Sequence, residues 1–68
     1  MDLKKTGAFI AQCRREAGLT QKEMAERLHV SDRAVSKWER GLNLPGADLF
    51  EPLCQILGVT VRELLRGE

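Results

Sequence analysis

No hydrophobic run in this chain approaches the roughly 20 residues of a membrane span, and the opening Met1-Asp2-Leu3-Lys4-Lys5 lacks the apolar stretch of a secretion signal. A cytoplasmic protein with no membrane partner is the expectation. Cysteine and histidine are equally scarce: two cysteines, Cys13 and Cys54, and one histidine, His29, which lies near neither of them in sequence. Zinc needs clustered ligands, so no metal site is expected, and reduced cytosolic thiols of this kind read as small core residues. The chain also lacks a catalytic triad, a glycine loop able to cradle phosphate, and paired carboxylates flanked by apolar residues. Those absences exclude the usual enzyme chemistries, and no cofactor or small-molecule substrate is expected. No segment alternates with a period of two and β-branched residues are few, which argues against a sheet.

What remains is a short, well-mixed chain of 68 residues, 43% hydrophobic and 31% charged. That composition is globular, and a chain of this length forms one domain, residues 1–68, to whose single core every helix must contribute. The net charge of +1 conceals a gradient: residues 1–19 carry +2, residues 20–43 carry +1 and residues 44–68 carry −2. One basic face and one acidic end would produce it.

Helix starts can be read from capping boxes, in which a side-chain oxygen and a glutamate three residues later satisfy two orphan backbone donors. Thr20 with Glu23, Asp48 with Glu51 and Thr60 with Glu63 have this form, and Ser31 is a further N-cap. Gly18, Gly41, Gly58 and Gly67 stand where helices should stop. The resulting prediction is all-α, a five-helix fold with helices over 4–17, 21–28, 32–40, 49–57 and 61–66, and with Pro52 in the first turn of the fourth. Apolar faces at helical spacing nominate the core. They are Phe9, Ile10, Cys13 and Ala17 in the first helix, Met24, Ala25 and Leu28 in the second, and Ala34, Val35 and Trp38 in the third. The last two helices supply Leu49, Phe50, Leu53, Ile56, Leu57, Val61, Leu64 and Leu65.

Two short helices joined by three or four residues are what a helix-turn-helix requires. Opposite its apolar stripe, the third helix carries Asp32, Arg33, Ser36, Lys37 and Arg40. On these residues alone the strip is either an ordinary solvated face or a set of groove-reading side chains. The chain resembles the family of Cro and the lambdoid phage repressors in three runs: Gly-Leu-Thr-Gln at 18–21, Val-Ser-Lys-Trp-Glu-Arg-Gly at 35–41, and Leu-Gly-Val-Thr-Val-Arg-Glu-Leu-Leu at 57–65. Those runs are in register with the caps, and the match extends over nearly the whole chain.

The resemblance implies a bacterial transcriptional regulator, a repressor above all, that binds a double-stranded DNA operator as a homodimer. It places Asp32, Arg33, Ser36 and Lys37 on base edges, and Gln21, Ser31, Arg40 and Asn43 on phosphates. Arg33 and Lys37 lie one turn apart and both donate well to guanine O6 and N7, so a half-site containing guanine is expected. Asp32 either accepts from cytosine N4 or favours its helix N-terminus. Arg14 and Glu39 sit at the rims of their apolar faces, and in the family these positions pair across the first and third helices. Where the family commonly has a turn glycine this chain has His29, one of the few other residue types that visit positive φ. The alternative to DNA is a protein-binding adaptor or antitoxin component with the same fold.

Overall fold

Side-chain oxygens start four of the five helices in the computed structural model, which describes all of residues 1–68. Asp2 accepts from the amides of Lys4 and Lys5 and opens α1, Leu3–Glu16. Thr20 and Glu23 close a reciprocal box on α2, Gln21–Leu28, and Thr60 and Glu63 do the same on α5, Val61–Arg66. Ser31 caps α3, Asp32–Glu39, by accepting from Ala34.

The fourth start departs from the sequence reading. The helix α4 spans Ala47–Leu57, two residues earlier than expected, and its cap is Gly46 with no side-chain bond. An N-cap needs only an extended residue whose carbonyl takes the first intrahelical bond, and Gly46, at φ −60° and ψ 154°, accepts from Leu49 at 2.9 Å. Asp48 therefore lies inside the first turn, where its charge still favours the helix N-terminus, and forms no box with Glu51. Pro52 correspondingly lies in the second turn, not the first. Its missing N–H removes one backbone bond, on a helix flank that is exposed at Asp48.

The chain ends each helix with a residue in the left-handed region: Gly18, His29, Gly41, Gly58 and Gly67. Four of these ends carry both bonds of a Schellman motif, as at Gly41, where Gly41 donates to the Trp38 carbonyl and Leu42 to that of Lys37. Short helices with abrupt stops let five elements fold into 26 × 22 × 22 Å.

The core runs through all five helices: Ile10 and Cys13, Met24, Ala25 and Leu28, Val35 and Trp38, Leu53, Cys54 and Leu57, and Leu64. Phe9, Leu49, Phe50 and Ile56 pack around it, partly covered. Three expected core residues lie outside, Leu65 being half-buried without packing on the cluster. Ala17 is the C-cap of α1 and is exposed, because the helix stops one residue short of it. Val61, the first residue of α5, is 39% exposed because the core-facing side of that short helix is filled by Leu64.

Close approach fixes how α1 meets α3. A Cβ on Gly7 would lie 2.3 Å from the Trp38 carbonyl oxygen and 2.8 Å from that of Glu39. Only glycine lets the two backbones touch there. A glycine interrupting an otherwise periodic helix is the sequence sign of such a contact.

Candidate nucleic-acid interface

The turn between α2 and α3 sets the direction in which α3 leaves the core. His29 takes φ 58° and ψ 41°, the only non-glycine residue at positive φ. From there it donates to the Glu26 carbonyl at 3.3 Å while Val30 donates to that of Ala25 at 3.0 Å, which is the Schellman pattern made without glycine. Ser31 then reverses the chain and caps α3.

With Val35 and Trp38 buried and Ala34 half-buried, α3 exposes Asp32, Arg33 and Lys37 to solvent. Ser36 is half-buried on the same side. Its hydroxyl and carbonyl oxygens accept from Arg40 Nε at 3.2 and 3.3 Å, so Arg40 lies back along the helix with both terminal nitrogens free of protein partners. Asn43 is exposed in the loop after α3, and Ser31 is exposed at its start. The strip Arg33, Lys37 and Arg40 is thus basic along two turns, with a single acid, Asp32, at its N-terminal end.

Behind this strip lies a polar lock. Arg14 Nε donates to Glu39 Oε2 at 2.6 Å, Nη2 to Oε1 at 3.0 Å, and Nη1 to the Leu19 carbonyl at 2.8 Å. The two side chains are only 11% and 6% exposed. Bidentate geometry out of water is the strong form of this pair, and the hydrogen bonds to Glu39 push the Arg14 pKa above its already high ordinary value. Gln21 Nε2 adds a third bond to Glu39 Oε1, at 2.9 Å. One carboxylate on α3 therefore holds α1 and the first residue of α2, and no buried side-chain nitrogen or oxygen is left without a partner.

The half-buried amide of Gln21, a residue the family resemblance implies on a phosphate, bonds Glu39 with one hydrogen and leaves its other amide hydrogen unused. That bond joins residues eighteen apart in sequence. It follows from how α2 crosses α3, which no local pattern encodes.

A family model described as helix-turn-helix matches residues 10–64, the stretch from the core of α1 to the buried leucine of α5. The chain belongs to the helix-turn-helix family. Within it, the chain is of the Cro and phage repressor type. The HTH-type transcriptional activator BcrR of Enterococcus faecalis is 41% identical over 59 residues, which are 87% of this chain and 29% of that protein. The chain thus spans less than a third of this relative's length. The uncharacterised HTH-type transcriptional regulator y4dJ of Sinorhizobium fredii is 41% identical over 66 residues, 96% of this chain and 86% of that protein. Among solved structures, the clp gene regulator ClgR from Corynebacterium glutamicum superposes with a TM-score of 0.83 at 30% identity, covering 98% of this chain and 86% of the other. The two share a fold, which in this chain is five helices without a strand.

Proposed function

We propose that residues 1–68 are one DNA-reading domain of a bacterial transcriptional regulator, with α3 seated in the major groove of a double-stranded operator. The observation that carries this is the exposed basic strip of Arg33, Lys37 and Arg40 on a helix whose opposite face is core and whose base is held by Arg14 and Glu39. A solvated helix has no use for such a fixed orientation, whereas a reader must present donors to base edges in one register. Arg33 and Lys37 are assigned to guanine, Ser36 and Asp32 to neighbouring base edges. Ser31, Arg40, Asn43 and the unused hydrogen of Gln21 are assigned to phosphates. No helix is long and apolar enough to cross a membrane, in keeping with action in the cytoplasm.

Occupying an operator is enough to block it, so repression is the proposed action, and binding without turnover the proposed chemistry of this domain. One recognition helix covers only a few base pairs, which favours two copies on half-sites about 34 Å apart. Their contact would fall near α4 and α5, away from the basic strip.

Selection of binding sites from random duplexes tests the reading. Guanine-containing half-sites in two-fold pairs are expected, with affinity falling steeply as salt rises because phosphate contacts release counterions. Absence of any enriched sequence would overturn it and favour a protein-binding module.

A further inference from the structure

We infer that the DNA-facing surface extends beyond the helix-turn-helix onto the first turn of α1, where Lys4 is an additional phosphate-binding residue. The inference rests on the proposed DNA reading and adds a contact that the three helix-turn-helix runs do not contain.

Lys4, Gly7, Ala11 and Arg14 recur at intervals of three and four and form the stripe of α1 that runs along α3. Each end of that stripe is basic. Arg14 is buried and neutralised by Glu39. Gly7 lies under the carbonyls of Trp38 and Glu39, and one turn further out Lys4 lies on Gly41. A Cβ on Gly41 would come within 2.8 Å of the Lys4 Cα and 2.9 Å of its Cγ. Lys4 is therefore set by backbone packing against the residue that follows Arg40 and precedes Asn43 by two, both assigned to phosphates above. An extended lysine stem carries its ammonium about 6 Å from Cα, far enough to share the backbone strand those two residues would touch.

The charges nearby point the same way. Lys5, the next residue, is paired with Glu68 at 3.0 Å, whereas Lys4 has no carboxylate partner. Asp2, the nearest acid in sequence, spends Oδ1 on the amides of Lys4 and Lys5. An unpaired, exposed cation whose stem is packed beside a basic strip is suited to a polyanion. The protein alternative is that the ammonium merely rests at the C-terminal end of α3, a stabilising place for a cation. No hydrogen bond from Nζ to those carbonyls is present, while that of Lys5 to Glu68 is.

The test is the salt dependence of binding to a fluorescent duplex carrying the selected site and to a scrambled duplex, for wild type, Lys4→Gln and Lys5→Gln. Glutamine retains the Cγ that packs on Gly41, and thermal melts check that each variant folds. With Lys4 on a phosphate, the slope of log K against log salt becomes shallower by about one for Lys4→Gln on both duplexes. For Lys5→Gln it stays at the wild-type value. An unchanged slope for Lys4→Gln, with or without a lowered melting temperature, overturns the inference while leaving the wild-type reading intact. Equal shallowing by Lys5→Gln also overturns it, as an effect of net charge alone. Wild-type protein that binds neither duplex would instead overturn the DNA reading itself.

Discussion

The two halves of this small domain share one apolar core and differ in the polar contacts added to it. Where α1, α2 and α3 meet, a buried guanidinium, a carboxylate, an amide and a backbone carbonyl interlock through Arg14, Glu39, Gln21 and Leu19. Around α4 and α5, Leu53, Cys54, Leu57 and Leu64 are buried with no ion pair in the core, and the only charge pair is the exposed Lys5–Glu68 contact. Hydrophobic burial is strong but indifferent to direction, whereas bidentate hydrogen bonds fix angles. The directional contacts gather at the helix proposed to read bases, and the non-directional ones supply the mass of the core. Burial, followed by the nearby carboxylates of Glu16 and Glu63 at Cys13 and of Glu63 at Cys54, also pushes both cysteine thiols up from their ordinary pKa, in keeping with core residues that stay protonated.

The largest expected effect comes from breaking the polar half. Glu39→Ala removes, out of water, the counter-charge of Arg14 and two of its three hydrogen bonds, and should cost about 3–5 kcal/mol in denaturant unfolding. Glu68→Ala, at an exposed and solvent-screened pair, should by comparison leave the unfolding midpoint almost unchanged. A double-mutant cycle on Arg14 and Glu39 should show strong coupling, and additive single effects would remove the lock from the account.

A cut of similar size in the apolar half sharpens the contrast. Leu64→Ala should cost about 2–5 kcal/mol through a cavity. Where the variant is still folded, its ranking of duplexes should match that of wild type, whereas Glu39→Ala should flatten the ranking even where it is folded. Equal flattening by both would mean that the halves do not differ in the way described.

His29 offers a smaller probe. Its φ of 58° carries the left-handed cost that glycine avoids, offset by the loosening of the unfolded chain. His29→Gly should accordingly be neutral or stabilising by up to about 1 kcal/mol, and a clear loss of stability would show that the imidazole has another role.

The smallest effect is one of pH. The backbone and side-chain hydrogen bonds at Thr20 hold the Glu23 carboxyl below the ordinary carboxylate range. A depressed folded pKa gives stability that is present above the unfolded value and lost as pH falls through the folded one. Acid should therefore weaken wild type slightly more than Glu23→Gln, read as the difference in melting temperature between neutral pH and pH about 3. A parallel fall in both would mean that the box does not depend on the charge.

How much of this could be read from residues depends on how local each feature is. The caps at Thr20, Ser31 and Thr60 need only neighbours within three positions, and they stand where the sequence puts them. The turn at His29 follows from a residue tolerant of positive φ between two such helices. The box at Asp48 has the same local form and does not occur, because Gly46 starts the helix first. The bond from Gln21 to Glu39 depends on crossing angles set by the whole core and nothing nearby in sequence announces it, whereas Gly7 signals a close approach without naming Trp38 as its partner. Arg14 and Glu39 stand out only as rim positions, and their pairing partner comes from the family resemblance.

The central claim is that α3 reads base edges with Arg33 and Lys37 from a locked platform. Site selection run side by side on wild type, Arg33→Ala and Lys37→Ala tests it most directly. Each variant should lose about 1–3 kcal/mol on the preferred site and relax the preference at one base pair, a different one for each residue. Variants that weaken every duplex equally, with the selected sequence unchanged, would contradict it and leave both residues as phosphate contacts.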